Sequence, residues 1–160
     1  MTLLHKEFES KLPFIHKTRL NCLMHTCNTV ANNNQLYLTG LGRKDSSKTK
    51  TSSNIEKVNR LLGNKHLHLE RPTFYQVMAA RLISQLSPWI HIDWCCLNAT
   101  TQLYVLRASV SATGRSITLY EECHVKKKEN NHGVHKQFLA NLKSILPAGT
   151  TPVIVTDAGF

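Results

Sequence analysis

Acidic side chains are scarce in this chain. Its 160 residues carry 10 Asp and Glu against 20 Lys and Arg, a formal net charge of +10. The shortage is uneven. Residues 1–92 hold 13 basic and 5 acidic side chains, and residues 93–160 hold 7 and 5. Basic charge gathered in one half is the electrostatic footprint of a polyanion partner. Long apolar runs are missing too. None approaches the roughly 18–20 residues of a membrane span, so no membrane partner is expected. The stretch Met1–Glu7 is not followed by the apolar segment of a signal peptide. Of the five cysteines none forms a CxxC pair. Cys95-Cys96 inside an apolar stretch suits free thiols, and a reducing cytoplasm is the simplest expectation. Disorder is excluded by a hydrophobic content of 41%. The length suits one ordinary domain or two small ones.

The basic half has helical periodicity. Leu12, Ile15, Leu23, Cys27 and Val30 share a face and predict a helix over 11–31, stopped by Asn32-Asn33-Asn34. Leu36–Arg43 predicts a compact turn and helix, and the polar residues 44–53 predict a loop. Ser53 with Glu56 forms a capping-box pattern ahead of Ile55, Val58, Leu61 and Leu62. Gly63-Asn64 predicts a left-handed end to that helix. A short helix, a loop and a basic helix outline a helix-turn-helix-like reader, a pattern also common in chains that bind nothing. Residues 65–72 predict a connector. Thr73 with Gln76 predicts a second capping box, opening a helix that carries Phe74, Val77, Met78, Leu82 and Leu86 and ends at Ser87-Pro88.

From Trp89 the period becomes that of strands. Three runs, 90–96, 102–110 and 116–123, joined by short turns, predict an antiparallel meander. A basic loop containing Lys126-Lys127-Lys128 follows. Next comes a helix with His135, Phe138, Leu139, Leu142 and Leu146 in one stripe. The apolar run Pro152–Thr156 suits a buried parallel strand reached by that helical crossover, and an exposed apolar edge where the core lacks its next strand and covering helices. The expected fold is therefore α/β: a helical region over 1–88, then a β-β-β-α-β mixed sheet over 89–160. In a ribonuclease-H-like arrangement of that order the first strand is central, with the fourth beside it.

Two acids stand out against the general shortage. Asp93 interrupts Ile90-His91-Ile92-Asp93-Trp94, and Asp157 closes Val153-Ile154-Val155-Thr156-Asp157. A carboxylate among apolar strand neighbours is costly without a partner. On adjacent strands the two are expected to share a divalent cation, Mg²⁺ or Mn²⁺, which takes hard oxygen ligands and is expected only for an intact core. Zinc is a weaker alternative: neither Cys123, His124, His132 and His135 nor His66 with His68 has a standard ligand spacing.

Four stretches also carry a resemblance. Leu36-Tyr37-Leu38-Thr39-Gly40-Leu41-Gly42-Arg43, Arg60-Leu61-Leu62-Gly63-Asn64, Ile92-Asp93-Trp94 and Thr156-Asp157-Ala158-Gly159-Phe160 resemble the N-terminal part of insertion-sequence transposases of the DDE class, in the "insertion sequence four" family. Ser116–Glu122 fits between the last two, and the likeness covers most of residues 20–160. The resemblance implies a bacterial, nucleoid-associated enzyme that hydrolyses and transfers DNA phosphodiesters. Asp93 and Asp157 would be its first two metal-binding acids. It implies terminal inverted repeats in double-stranded DNA as the partner of residues before 90, with Arg43, Lys57 and Arg60 as candidate contacts. It implies no small-molecule substrate.

The family's third acid, a downstream glutamate, has no counterpart here; Glu121, Glu122 and Glu129 all precede Asp157. The chain is therefore expected to be truncated before that acid and inactive alone. The alternative is a non-catalytic DNA-binding module that occupies element ends, or pairs with another transposase chain, and inhibits transposition.

Overall fold

Pro13 sets the first boundary. The computed structural model describes residues 2–34, 36–45, 47–157 and 160. Within it, helix α1 spans Thr2–Lys11 and helix α2 Lys17–Asn33, so the helix expected over 11–31 is two helices around a turn. Proline contributes no N–H and disfavours helical geometry in the residue before it. Leu12 and Ile15 are nonetheless buried, as their spacing implied. A tight turn also brings the chain back after three residues, with Ile15 N–H donating to the Leu12 carbonyl at 3.1 Å. Asn34, at φ 52°, ends α2 in the left-handed conformation, its N–H on the Val30 carbonyl.

Helix α3 covers Leu38–Lys44 and helix α4 Thr51–Leu62. The capping box expected at Ser53 does not form, because α4 starts two residues earlier with no side-chain cap. The loop before it is ordered by Asp45, whose carboxylate accepts the Ser47 N–H at 2.8 Å and lies 2.9 Å from His25 Nε2. Burial pushes that carboxyl up, but the Ser47 and His25 hydrogen bonds outweigh it and hold it below its ordinary value. Gly63 ends α4 at the expected place but at φ −83°, not left-handed. Asn64 then caps the next helix, its side-chain oxygen accepting the Leu67 N–H.

That helix, α5, runs Lys65–Leu82 with Pro72 inside it. Residues 65–72 are thus helical rather than a connector. An internal proline costs a helix roughly 3 kcal/mol. Offsetting it, Glu70 takes both Nε and Nη2 of Arg19 from α2, a paired, mostly buried, charge-assisted contact. Thr73 is no cap: its hydroxyl donates to the Glu70 carbonyl at 2.7 Å. The helix ends at Leu82, short of the expected Ser87, and Leu86 is exposed.

The chain divides into two compact units, 1–74 and 75–160, with α5 crossing the division. In the first, Phe8 and Phe74 meet edge to face at 5.1 Å. The second is built on strands β1 (Trp89–Asn98), β2 (Leu103–Ala112), β3 (Arg115–Val125) and β4 (Val153–Thr156), with helix α6 (His132–Ile145) between the last two. Their order is β3-β2-β1-β4: an antiparallel meander with β4 parallel to β1 on its far side. One sheet face carries Ile90, Ile92, Leu106 and Ala108, buried with Ala79 of α5 and Phe138, Leu142 and Ile145 of α6. Strand β4 forms the expected parallel pair with β1 and is the exposed apolar edge expected of a core without its next strand and covering helices, with Val153 43% and Ile154 38% exposed.

Candidate functional site

Strand alternation settles where Asp93 points. Ile90 and Ile92 face the core, so His91, Asp93 and Cys95 lie on the opposite, open face. Asp93 is exposed, not buried as its apolar neighbours suggested. The strand alternates around it, so it escapes the desolvation that a continuous apolar run implies.

Strand β4 brings the second acid alongside. His91 pairs with Val155 and Ile92 with Thr156 in parallel register. The next residues are Asp93, still within β1, and Asp157, one position past the end of β4, so the pairing ends one residue short of the two acids. Parallel neighbours at one level sit about 4.8 Å apart, close enough for two carboxylates to share one cation. Asp157 is likewise exposed.

Arg107 faces Asp93 across β1 and β2, and faces Glu121 across β2 and β3. Its guanidinium goes to Glu121, with Nε 2.9 Å from the carboxylate. That pairing leaves the Asp93 carboxylate open to a cation. Sequence reading did not find Arg107, since it follows only from the strand register.

Beneath the acids, on the core face, lies an aromatic cluster. Trp94, next to Asp93, donates its indole N–H to His135 Nε2 at 3.1 Å. The His135 ring stacks on Phe160, centroids 4.1 Å apart and nearly parallel. His135 thus ties the strand carrying Asp93 to the segment just past Asp157. An indole only donates, so His135 must be neutral with its proton on Nδ1. Nδ1 is buried and unpartnered among the described residues. Burial, with His132 nearby, lowers the pKa of His135.

A lowered histidine pKa means the unfolded chain binds the proton more readily. Stability contributed by neutral His135 is present above its unfolded value of about 6.5 and is lost as pH falls below it, toward the folded value. His135→Phe is therefore expected to flatten the fall in melting temperature between about pH 7 and pH 5. Melting curves followed across that window check it; an unchanged slope would contradict it.

In the helical unit, Lys57 and Arg60 of α4 line one groove, together with His16, Thr18 and Ser52. Arg60 is bound to Glu56 one turn back at 2.9 Å. Lys57 is exposed, with no acidic partner among the described residues. Arg43, in the last turn of α3, is exposed but does not line that groove. His16 and Thr18 reach this groove through packing between α2 and α4, which no local sequence pattern carries.

Among the described residues, no group of three or more His, Cys, Asp or Glu side chains is placed to hold a metal ion. Two of the histidines with a weak zinc expectation are engaged elsewhere, His124 with Glu122 at 3.0 Å and His68 with the Leu62 carbonyl. No protein-family model matches this chain, and no curated protein or solved structure matches it.

Proposed function

We propose that this chain is a DNA-engaging, metal-binding portion of a DDE-class transposase. The observation that carries the reading is the parallel pairing of β1 with β4 up to Ile92 and Thr156, the residues immediately before Asp93 and Asp157, both of which are exposed. Two carboxylates with room for phosphate oxygens and water are the donor set that Mg²⁺ or Mn²⁺ takes in phosphoryl-transfer sites. When bound, the ion supplies Lewis-acid activation of a water or 3′-hydroxyl and charge neutralisation at the phosphodiester. The strand order β3-β2-β1-β4 supports a ribonuclease-H-like core.

The chain's own residues have separable tasks in this reading. Asp93 and Asp157 hold the cation. Trp94, His135 and Phe160 fix the backbone behind them. Lys57, Arg60 and Arg43 contact the phosphates of terminal inverted repeats, and of these Lys57 carries most, because Arg60 shares its charge with Glu56. The expected setting is the bacterial cytoplasm, at the nucleoid. No helix among the described residues is long and apolar enough to cross a membrane.

A second reading has its own observation: no third metal-binding side chain joins the two acids among the described residues. In that reading the chain occupies element ends, alone or with another transposase chain, without cutting. Duplex-DNA binding measured against salt tests the shared premise. Each phosphate neutralised contributes about −0.9 to the slope of log K against log salt. Lys57→Gln is expected to reduce the slope by about one. A chain with no affinity for duplex DNA at low salt would end both readings. Metal-dependent cutting of duplex ends by this chain alone would remove the second.

A further inference from the structure

The sheet unit carries basic charge of its own, concentrated where β1 and β4 point. Asn98 pairs with Leu103, and Leu103 with Val125. The next residues, Lys126-Lys127-Lys128, form one 3₁₀ turn, whose first N–H donates to the Gln102 carbonyl at 3.0 Å. The triplet is thereby pinned beside the β1–β2 turn. All three lysines are exposed, and none has an ion pair among the described residues. The neighbouring turn, Asn98–Gln102, is polar and has no acid.

We infer that Lys126, Lys127 and Lys128 form a DNA-backbone contact in the sheet unit, separate from the helical contacts; the inference rests on the proposed engagement of duplex DNA by the acid pair. Two features favour a phosphate backbone over a solvated loop. The turn is held by main-chain hydrogen bonds, Glu129 N–H closing it on the Lys126 carbonyl at 2.9 Å, so the three charges are presented together. Its distance from the acids also fits a duplex. Asp93 lies five residues from the end of β1, at about 3.3 Å per residue, and β3 lies two strand spacings of about 4.8 Å away. The separation is about 19 Å from that strand geometry. At 3.4 Å per base pair this is about half a helical turn. On one face of a duplex that span is the scale of the two backbones flanking a major groove about 12 Å wide, so a duplex with one backbone at the acids would present its other backbone to the triplet.

The test is the salt dependence of binding of the intact chain to a short duplex. The variant Lys126→Gln with Lys127→Gln and Lys128→Gln is expected to lower the log–log slope by about 2 to 3 and low-salt affinity by about tenfold or more. The corresponding triple arginine variant keeps both. A charge-matched control, Lys6→Gln with Lys11→Gln and Lys143→Gln, is expected to change the slope by less than about one. An unchanged slope in the triplet glutamine variant, with wild-type binding intact, overturns this inference and leaves the proposed function standing. An equal loss in the control overturns it too, as does a loss of binding to phosphatidylserine vesicles without loss of DNA binding. Failure of the wild-type chain to bind duplex DNA overturns the proposed function along with it.

Discussion

Gly42→Ala is expected to disrupt the α3–α4 pair and, with it, the DNA contact proposed for the helical unit. A Cβ placed at Gly42 would lie 2.3 Å from Ile55 Cγ1, 2.6 Å from the Ile55 nitrogen and 2.7 Å from its Cα. The side-chain overlap can be relieved by a rotamer change. The other two cannot, because they are with the backbone of α4. Elsewhere in a helix this exchange gains roughly 0.5–1 kcal/mol. Overpacking costs typically 1–3 kcal/mol and more where the backbone must move, so the clash wins. The net loss is expected at about 2–3 kcal/mol or above. Gly63→Ala is the matched control: a Cβ there meets only the Asn59 carbonyl at 3.6 Å, an ordinary contact. It is expected to be neutral or slightly stabilising. Thermal melts of both variants decide the point, and equal melting temperatures would refute the close approach of α3 and α4.

Asp93→Asn and Asp157→Asn are expected to reverse the effect of divalent cations on DNA binding. Without cations, two carboxylates near a phosphate repel it, so each variant should bind duplex DNA more tightly than the wild type in chelator. With Mg²⁺ or Mn²⁺ present the order should invert. The wild type then gains a bridge from carboxylates through cation to phosphate, which the variants lack. Loss of an outer partner alone costs 10–100-fold in metal affinity, so loss of a ligand is expected to reach about a hundredfold. Asp93 is exposed, and Asp93→Asn should melt within about 0.5 kcal/mol of the wild type. Parallel binding titrations in chelator and in Mg²⁺ read the crossing. Curves for variant and wild type that shift together would show the acids to be ordinary surface charges.

The sheet was legible because its signals are local. Alternation from Trp89 onward marked three strands, short turns forced an antiparallel meander, and the α6 stripe implied a crossover to a parallel strand. The order of strands followed, with β4 beside β1. Burial was less legible. An apolar strand looks the same whether both of its faces are covered or one, so Asp93 is expected to be more enclosed than it is.

The helical half shows a different limit. Capping boxes at Ser53 and Thr73 were plausible patterns, but each residue lies inside a helix that starts earlier. Residues 65–72 looked like a connector because Pro72 opposes helix. The interaction that outweighs it, Arg19 with Glu70, joins residues 51 positions apart. No local pattern carries that information. The same holds at the candidate site for Arg107 and His135, whose partners come from strand register and from packing across the core.

Direct binding of Mn²⁺ to the intact chain, read by the loss of the free-ion electron paramagnetic resonance signal, tests the pairing of Asp93 and Asp157 with fewest assumptions. It needs no DNA sequence, no turnover and no second chain. The expected result is one saturable site in the wild type, competed by Mg²⁺ and weakened about a hundredfold by either Asp93→Asn or Asp157→Asn. A wild-type chain with no saturable site, or one whose site survives both substitutions, would contradict the assignment of these two acids as a metal centre.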